Sequence, residues 1–139
     1  YVYDKGFTQK TRLTIDTDAG PRMLELHLLE GAVDQVTVDM GRVEVSGPVQ
    51  AEAAGELFQI VPADAGNPHG IIFCPDPEKI DLERLGPLLE SHPALGERRN
   101  IEFVSCPQRG RLDIRVWERG SGITLACGTG ACAAFAAAL

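Results

Sequence analysis

Hydrophobic and polar residues alternate from Arg12 to Asp18 (RLTIDTD), with Leu13 and Ile15 on one face and Thr14 and Asp16 on the other. Such a period of two predicts a strand, and Ala19-Gly20-Pro21 closes it with a turn. The pattern returns from Met23 to Leu29 and from Val36 to Met40, around Glu30-Gly31-Ala32. An antiparallel meander with its acidic residues in water is expected. From Gly41 to Gly55 the alternation fades into Gly47-Pro48 and the small residues AEAAGE, so a domain boundary is placed near Gly41. Strands are expected again at Leu57 to Val61 and, fully buried, at Ile71 to Cys74. Between Glu78 and Ser91, Leu82, Leu85, Leu88 and Leu89 follow helical spacing. They predict an amphipathic helix with surface charges, split or turned at Pro87, and His92 lies exposed beyond it. Asn100 to Cys106 and Arg111 to Glu118 read as two strands joined by Pro107-Gln108-Arg109-Gly110.

The last stretch, Trp117 to Leu139 (WERGSGITLACGTGACAAFAAAL), changes period. A polar strand end gives way to Gly128 and Gly130, then to the small and apolar run from Ala131 to Leu139, which predicts a helix beginning near Cys127. The first turn of a helix has N–H groups without internal partners and the positive end of the helix dipole. It therefore favours a thiolate and binds a carboxylate. Most cysteines are simply buried, but the flanking glycines make Cys127 a candidate for function. Cys132 reads as core, because it follows within an Ala, Phe and Leu helix and its spacing from Cys127 is not that of a redox or zinc motif.

Charge and cysteine usage narrow the classes. Thirteen Lys and Arg against 20 Asp and Glu give a net charge of −7, which argues against a general nucleic-acid binder. No apolar run approaches the roughly 18 residues of a membrane span, and no signal peptide is visible. Cys74, Cys106, Cys127 and Cys132 lack the dense spacing of a disulfide scaffold, so a soluble cytoplasmic protein with reduced thiols is expected. The chain opens on Tyr1 within what reads as the last turns of a helix (YVYDKG) and ends at Leu139 in mid-helix, so it reads as a segment of a longer polypeptide.

Two further places point to a site. In Gly66-Asn67-Pro68-His69, proline restrains the backbone and holds Asn67 and His69 at the mouth of a core strand. In the strand from Arg111, Glu118 continues the face of Leu112, Ile114 and Val116 and directs a carboxylate inward. A solvated strand end is the plain alternative. The functional one is a group that binds a substrate ammonium or tunes a thiol, with Arg119 as a carboxylate partner.

GNPH (66–69), RN (99–100), WERG (117–120) and TLACGTGACAA (124–134), in this order, closely resemble diaminopimelate epimerase, an amino-acid epimerase that uses no pyridoxal phosphate. DKGFTQKTRLTIDTDAG and VTVDMG also resemble that family's mid-chain segments, so the likeness spans essentially the whole chain. It implies an α+β fold of two similar domains, each a mostly antiparallel sheet wrapped around a central apolar helix, with the site in the cleft between them. Residues 1–41 would close the first domain and 42–139 would form most of the second. The activity implied is interconversion of LL- and meso-2,6-diaminopimelate, for lysine and cell-wall precursor synthesis, by two cysteines acting from opposite faces of the α-carbon without cofactor or metal.

On that resemblance Cys127 is one of the two bases, and Gly128 and Thr129 hold the α-carboxylate through their N–H groups. Asn67 and Asn100 hold the substrate, Glu118 and Arg119 add polar and charged contacts, and His69 and Glu118 tune the cysteines. The family's other catalytic cysteine lies in a Cys-Gly-Asn-Gly type motif, which these residues do not contain; Cys74 and Cys106, in apolar strands without flanking glycines, do not replace it. Gly70 stands where the family often has cysteine. Partners expected are therefore diaminopimelate, a first domain carrying the second cysteine, and, as the reading admits, a second copy in a homodimer; the 139 residues alone should be inactive. The alternatives are a proline or histidine racemase of the same fold, and a non-catalytic fragment that keeps a carboxylate pocket.

Overall fold

A computed structural model describes residues 1–139, which divide into two compact units, Tyr1–Gly41 and Arg42–Leu139. The first unit is the antiparallel meander that the alternation predicts: β1 (Arg12–Thr17), β2 (Gly20–Leu29) and β3 (Ala32–Val38), paired in that order. Its hairpin loop at Glu30 and Gly31 has both φ angles positive, the conformation that matches strand twist in two-residue loops. Ahead of β1, YVYDKG forms hydrogen-bonded turns rather than a helix. Phe7 N bonds Val2 O at 3.0 Å and Gly6 N bonds Tyr3 O at 2.9 Å, the pattern of a helix's closing turn, with Gly6 at φ 75°.

The second unit is a mixed sheet between two helices. β4 (Glu44–Val45), β5 (Val49–Ala53), β6 (Glu56–Asp64) and β7 (Pro68–Phe73) are followed by α1 (Leu82–Glu90), then β8 (Asn100–Gln108), β9 (Arg111–Glu118), β10 (Gly122–Thr124) and α2 (Gly128–Ala137). The sheet runs β10-β9-β8-β7-β6-β4, with β5 also on β6. All neighbours are antiparallel except β7 and β8. That parallel pair needs a crossover, and α1 lies within it. One face buries Ile60, Ile72, Ile101 and Phe103 with Leu82, Leu85 and Leu89 of α1. The other buries Ala63, Ile71 and Val104 under Ala133 and Ala134 of α2. The result is an α+β architecture, as expected.

Four local expectations need correction. The segment after Gly41 is not featureless: β4 and β5 both pair with β6, and Ala51 and Ala53 are buried, because small residues pack where β5 meets the core. Pro87 does not split α1. Asp81 caps the helix start by accepting from Arg84 N at 3.2 Å, Pro87 removes only one internal bond near the end, and Ser91 Oγ donates to the Pro87 carbonyl at 3.1 Å. The helix charges are not all at the surface. Glu90 is buried, accepting from Trp117 Nε1 at 2.7 Å and from the guanidinium of Arg98, while Leu88 is exposed. His92 is half-buried, and its Nδ1 accepts from Ala94 N at 3.2 Å, so it caps a short 3-10 turn.

Gly86 explains how α1 approaches the sheet so closely. A Cβ there would stand 2.4 Å from Cδ2 of Trp117, and the indole is held by its bond to Glu90. Gly86→Ala gains about 1 kcal/mol of helix propensity but overlaps an anchored ring. We expect a net loss of about 1–3 kcal/mol, read as a lower urea midpoint; an unchanged or higher midpoint would show that the ring moves freely.

Candidate active site

The site is built where α2 begins. Cys127 is the N-cap residue, in extended conformation at φ −132° and ψ 111°. Its sulfur occupies the place usually taken by a serine or aspartate oxygen, accepting from Gly130 N at 3.4 Å. Thr129 Oγ1 lies 3.4 Å from the same sulfur, and Asn100 Nδ2 points at it from 4.0 Å. Gly130 N and Asn100 Nδ2 thus donate towards Sγ, and the Thr129 hydroxyl can either donate to it or accept from it. The N–H groups of Gly128 and Thr129, in the first helical turn, have no acceptor within the helix.

The parallel strands supply the rest. His69 on β7 and Asn100 on β8 are aligned Cα to Cα, so the Pro68 segment and the start of β8 deliver side chains to the same place. His69 is fully buried; Nε2 lies 3.0 Å from Asn67 Oδ1 and Nδ1 lies 2.7 Å from Glu102 Oε1. Asn100 Oδ1 accepts from the backbone N–H of Arg119 at 2.8 Å, tying the end of β9 to the start of β8. Arg99 donates to the carbonyls of Ala63 and His69, both at 3.4 Å, and so braces β6 and β7.

Two hydrogen-bonded groups therefore lie side by side: Asn67, His69 and Glu102 in one, and Asn100, Cys127 and Thr129 in the other, with Gly128 in the same helix turn. Glu118 is half-buried at the end of β9 and accepts from Thr124 Oγ1. It is not paired with Arg119. That guanidinium is exposed and donates to the Arg98 carbonyl at 3.2 Å, because the chain turns outward after β9. Cys74 is half-buried at the end of β7, and burial pushes its thiol up. Cys106 is exposed where the pairing of β8 with β9 shifts register, rather than packed in an apolar strand.

One residue of the site escaped the sequence reading. Glu102 on β8 is fully buried, bonded to His69 and pressed against α2, where a Cβ on Gly130 would stand 2.5 Å from its Oε1. Burial raises its carboxyl above the usual range; the hydrogen bond and charge of His69 oppose this and the charge of Glu118 adds to it. An acid within the apolar run IEFV was the available signal. Ligand atoms of His69, Glu102 and Cys127 lie within 4.8 Å of one another, near enough for a metal to bridge. Both ring nitrogens of His69 are already engaged, however, so the arrangement works as a hydrogen-bond relay. A cavity of about 470 Å³ opens beside it, reaching Glu102, Cys127 and Gly130 past Val116 and Thr124.

Residues 61–139 match the family model described as diaminopimelate epimerase. The chain belongs to the diaminopimelate epimerase family. It is 47% identical to a diaminopimelate epimerase of Phocaeicola vulgatus, over 100% of this chain and 54% of that protein. Against one of Parabacteroides distasonis the identity is 45%, over 96% of this chain and 50% of that protein. The chain thus spans about half the length of the diaminopimelate epimerases it matches. A crystal structure of a hydroxyproline epimerase from Agrobacterium vitis, with bound trans-4-hydroxy-L-proline, shares the fold with a TM-score of 0.70 at 18% identity, over 98% of this chain and 47% of that one. In this member of the diaminopimelate epimerase family no helix is long and apolar enough to cross a membrane.

Proposed function

We propose that these residues provide one catalytic face of a cofactor-independent epimerase that interconverts LL- and meso-2,6-diaminopimelate in the cytoplasm, for lysine and cell-wall precursor synthesis. The observation that carries this reading is the placement of Asn100 and His69 beside Cys127 at the start of α2, with Asn67 holding His69. Residues 1–41 close a first domain and 42–139 form most of a second, with the partner cysteine supplied by the first domain. The α-hydrogen of an amino acid is a very weak acid, so its removal needs preorganised donors for the charge that develops. Gly128 and Thr129 N–H groups, at the positive end of α2, hold the α-carboxylate. Asn67 and Asn100 orient the substrate, and Glu118 and Arg119 line its polar rim. In one direction the Cys127 thiolate takes the α-proton, breaking C–H and forming S–H, while the partner thiol gives its proton to the opposite face. In the other direction the roles reverse.

The test is turnover of LL-diaminopimelate by the complete enzyme in deuterated water. Meso product with solvent deuterium at the inverted α-carbon is expected. Inversion of trans-4-hydroxy-L-proline in place of diaminopimelate would transfer the site to the racemase reading, and labelling of neither substrate would leave a binding fragment.

A further inference from the structure

The proton between His69 and Glu102 can be placed by elimination. Asn67 Oδ1 offers only lone pairs, so the His69 Nε2 that faces it at 3.0 Å carries hydrogen. Nδ1 and Glu102 Oε1, 2.7 Å apart, then share one proton. Either an imidazolium faces a carboxylate, or a neutral imidazole accepts from a neutral carboxylic acid. The second oxygen decides between them. Glu102 Oε2 is buried and has no hydrogen-bond partner. As part of a carboxylate it would hold negative charge in a low-dielectric interior without a donor, whereas the carbonyl oxygen of a neutral acid loses much less there. We propose that Glu102 is a positioning residue that acts as a neutral acid, donating Oε1–H to His69 Nδ1 and so locking the imidazole as its Nε2–H tautomer beneath Cys127.

The consequence for Cys127 rests on the epimerase reading. The titratable groups facing one another here are His69 from β7, Glu102 from β8, Glu118 from β9 and Cys127 from α2. With His69 and Glu102 both uncharged, a thiolate at Cys127 meets the donors of Gly130, Asn100 and Thr129 without a carboxylate directly beneath it. Burial of Glu102 and the nearby Glu118 charge both favour its protonated form, against the pull of His69.

The experiment is nitrogen NMR of the complete enzyme labelled in its histidine rings, with the alkylation rate of Cys127 followed across pH. His69 is expected to show one protonated and one unprotonated ring nitrogen at neutral pH, where an imidazolium would show two protonated ones and overturn the proposal. Glu102→Gln places an N–H donor in the same position; it should keep this spectrum and most of the turnover, with the alkylation midpoint of Cys127 at or below that of the wild type. Glu102→Leu keeps bulk without a donor and should mix the tautomers and lower turnover roughly 10- to 100-fold, less than a missing acid–base group itself. A glutamine variant whose alkylation midpoint rises, or that is as inactive as the leucine variant, would also overturn the proposal. Should the leucine variant fail to fold, the wild-type and glutamine spectra still decide. The expected spectra in a protein that does not invert diaminopimelate would support the proton placement while sinking the epimerase reading.

Discussion

Cys127→Ser in the complete enzyme is expected to separate stability from activity. Serine oxygen is a preferred N-cap acceptor, and the position already accepts from Gly130 N through sulfur at 3.4 Å. Folding should be unchanged or strengthened by up to about 1 kcal/mol. The hydroxyl, however, does not carry protons in the range where a thiol does. Turnover should fall by at least roughly 10²–10⁴-fold, the scale of a lost acid–base group. Racemisation kinetics beside a urea melt would check both halves. Activity within tenfold of wild type would remove Cys127 from the proton path, and a parallel loss of stability would mean that the cap tolerates only sulfur.

Gly130→Ala should damage the same site from the opposite direction. The added methyl would lie 2.5 Å from Glu102 Oε1, 3.2 Å from its Cδ and 3.3 Å from Cys127 Cβ. Glu102 cannot retreat, since it is fully buried and held by His69, which Asn67 holds in turn. The start of α2 must therefore lift, taking the Cys127 sulfur with it. A stability loss of about 1–3 kcal/mol is expected, together with a fall in turnover of roughly 100-fold, as displacements of about an ångström can produce. Gly128→Ala is the matched control for folding, because nothing lies within 4 Å of its Cβ position. Equal urea midpoints for the two variants would refute the steric account.

Much of this arrangement could be read in the residues. Alternation located β1 to β3 and the β8–β9 hairpin, and the glycines after Cys127 located the start of α2. Pro68 marked the strand entrance that sets His69 alongside Asn100 and Asn67 against His69. The gaps have physical causes. β5 is carried by Val49, Ala51 and Ala53, whose small side chains give little strand signal. Asn100 and Glu102 share one parity on β8, which resembles a solvated face; only the packing of α2 over that face buries the acid, a contact that no local pattern encodes. The outward turn of the Arg119 side chain depends on the Arg98 carbonyl, which lies 21 residues away in sequence.

The parallel pairing of β7 with β8 also sets an order of assembly. His69 and Glu102 are separated by 33 residues, and Asn100 and Cys127 by 27. Closing such loops costs chain entropy before any contact rewards it, and non-local pairings of this kind are slow to form. The hairpins of β5 with β6 and of β8 with β9 are local and can arise first. The surroundings of Cys127 come into being only when the crossover through α1 has closed and α2 has docked on the joined sheet. During refolding, the reactivity of this thiol would therefore report the closing of the crossover and the docking of α2, and a chain stalled before that would retain hairpins but lack the site.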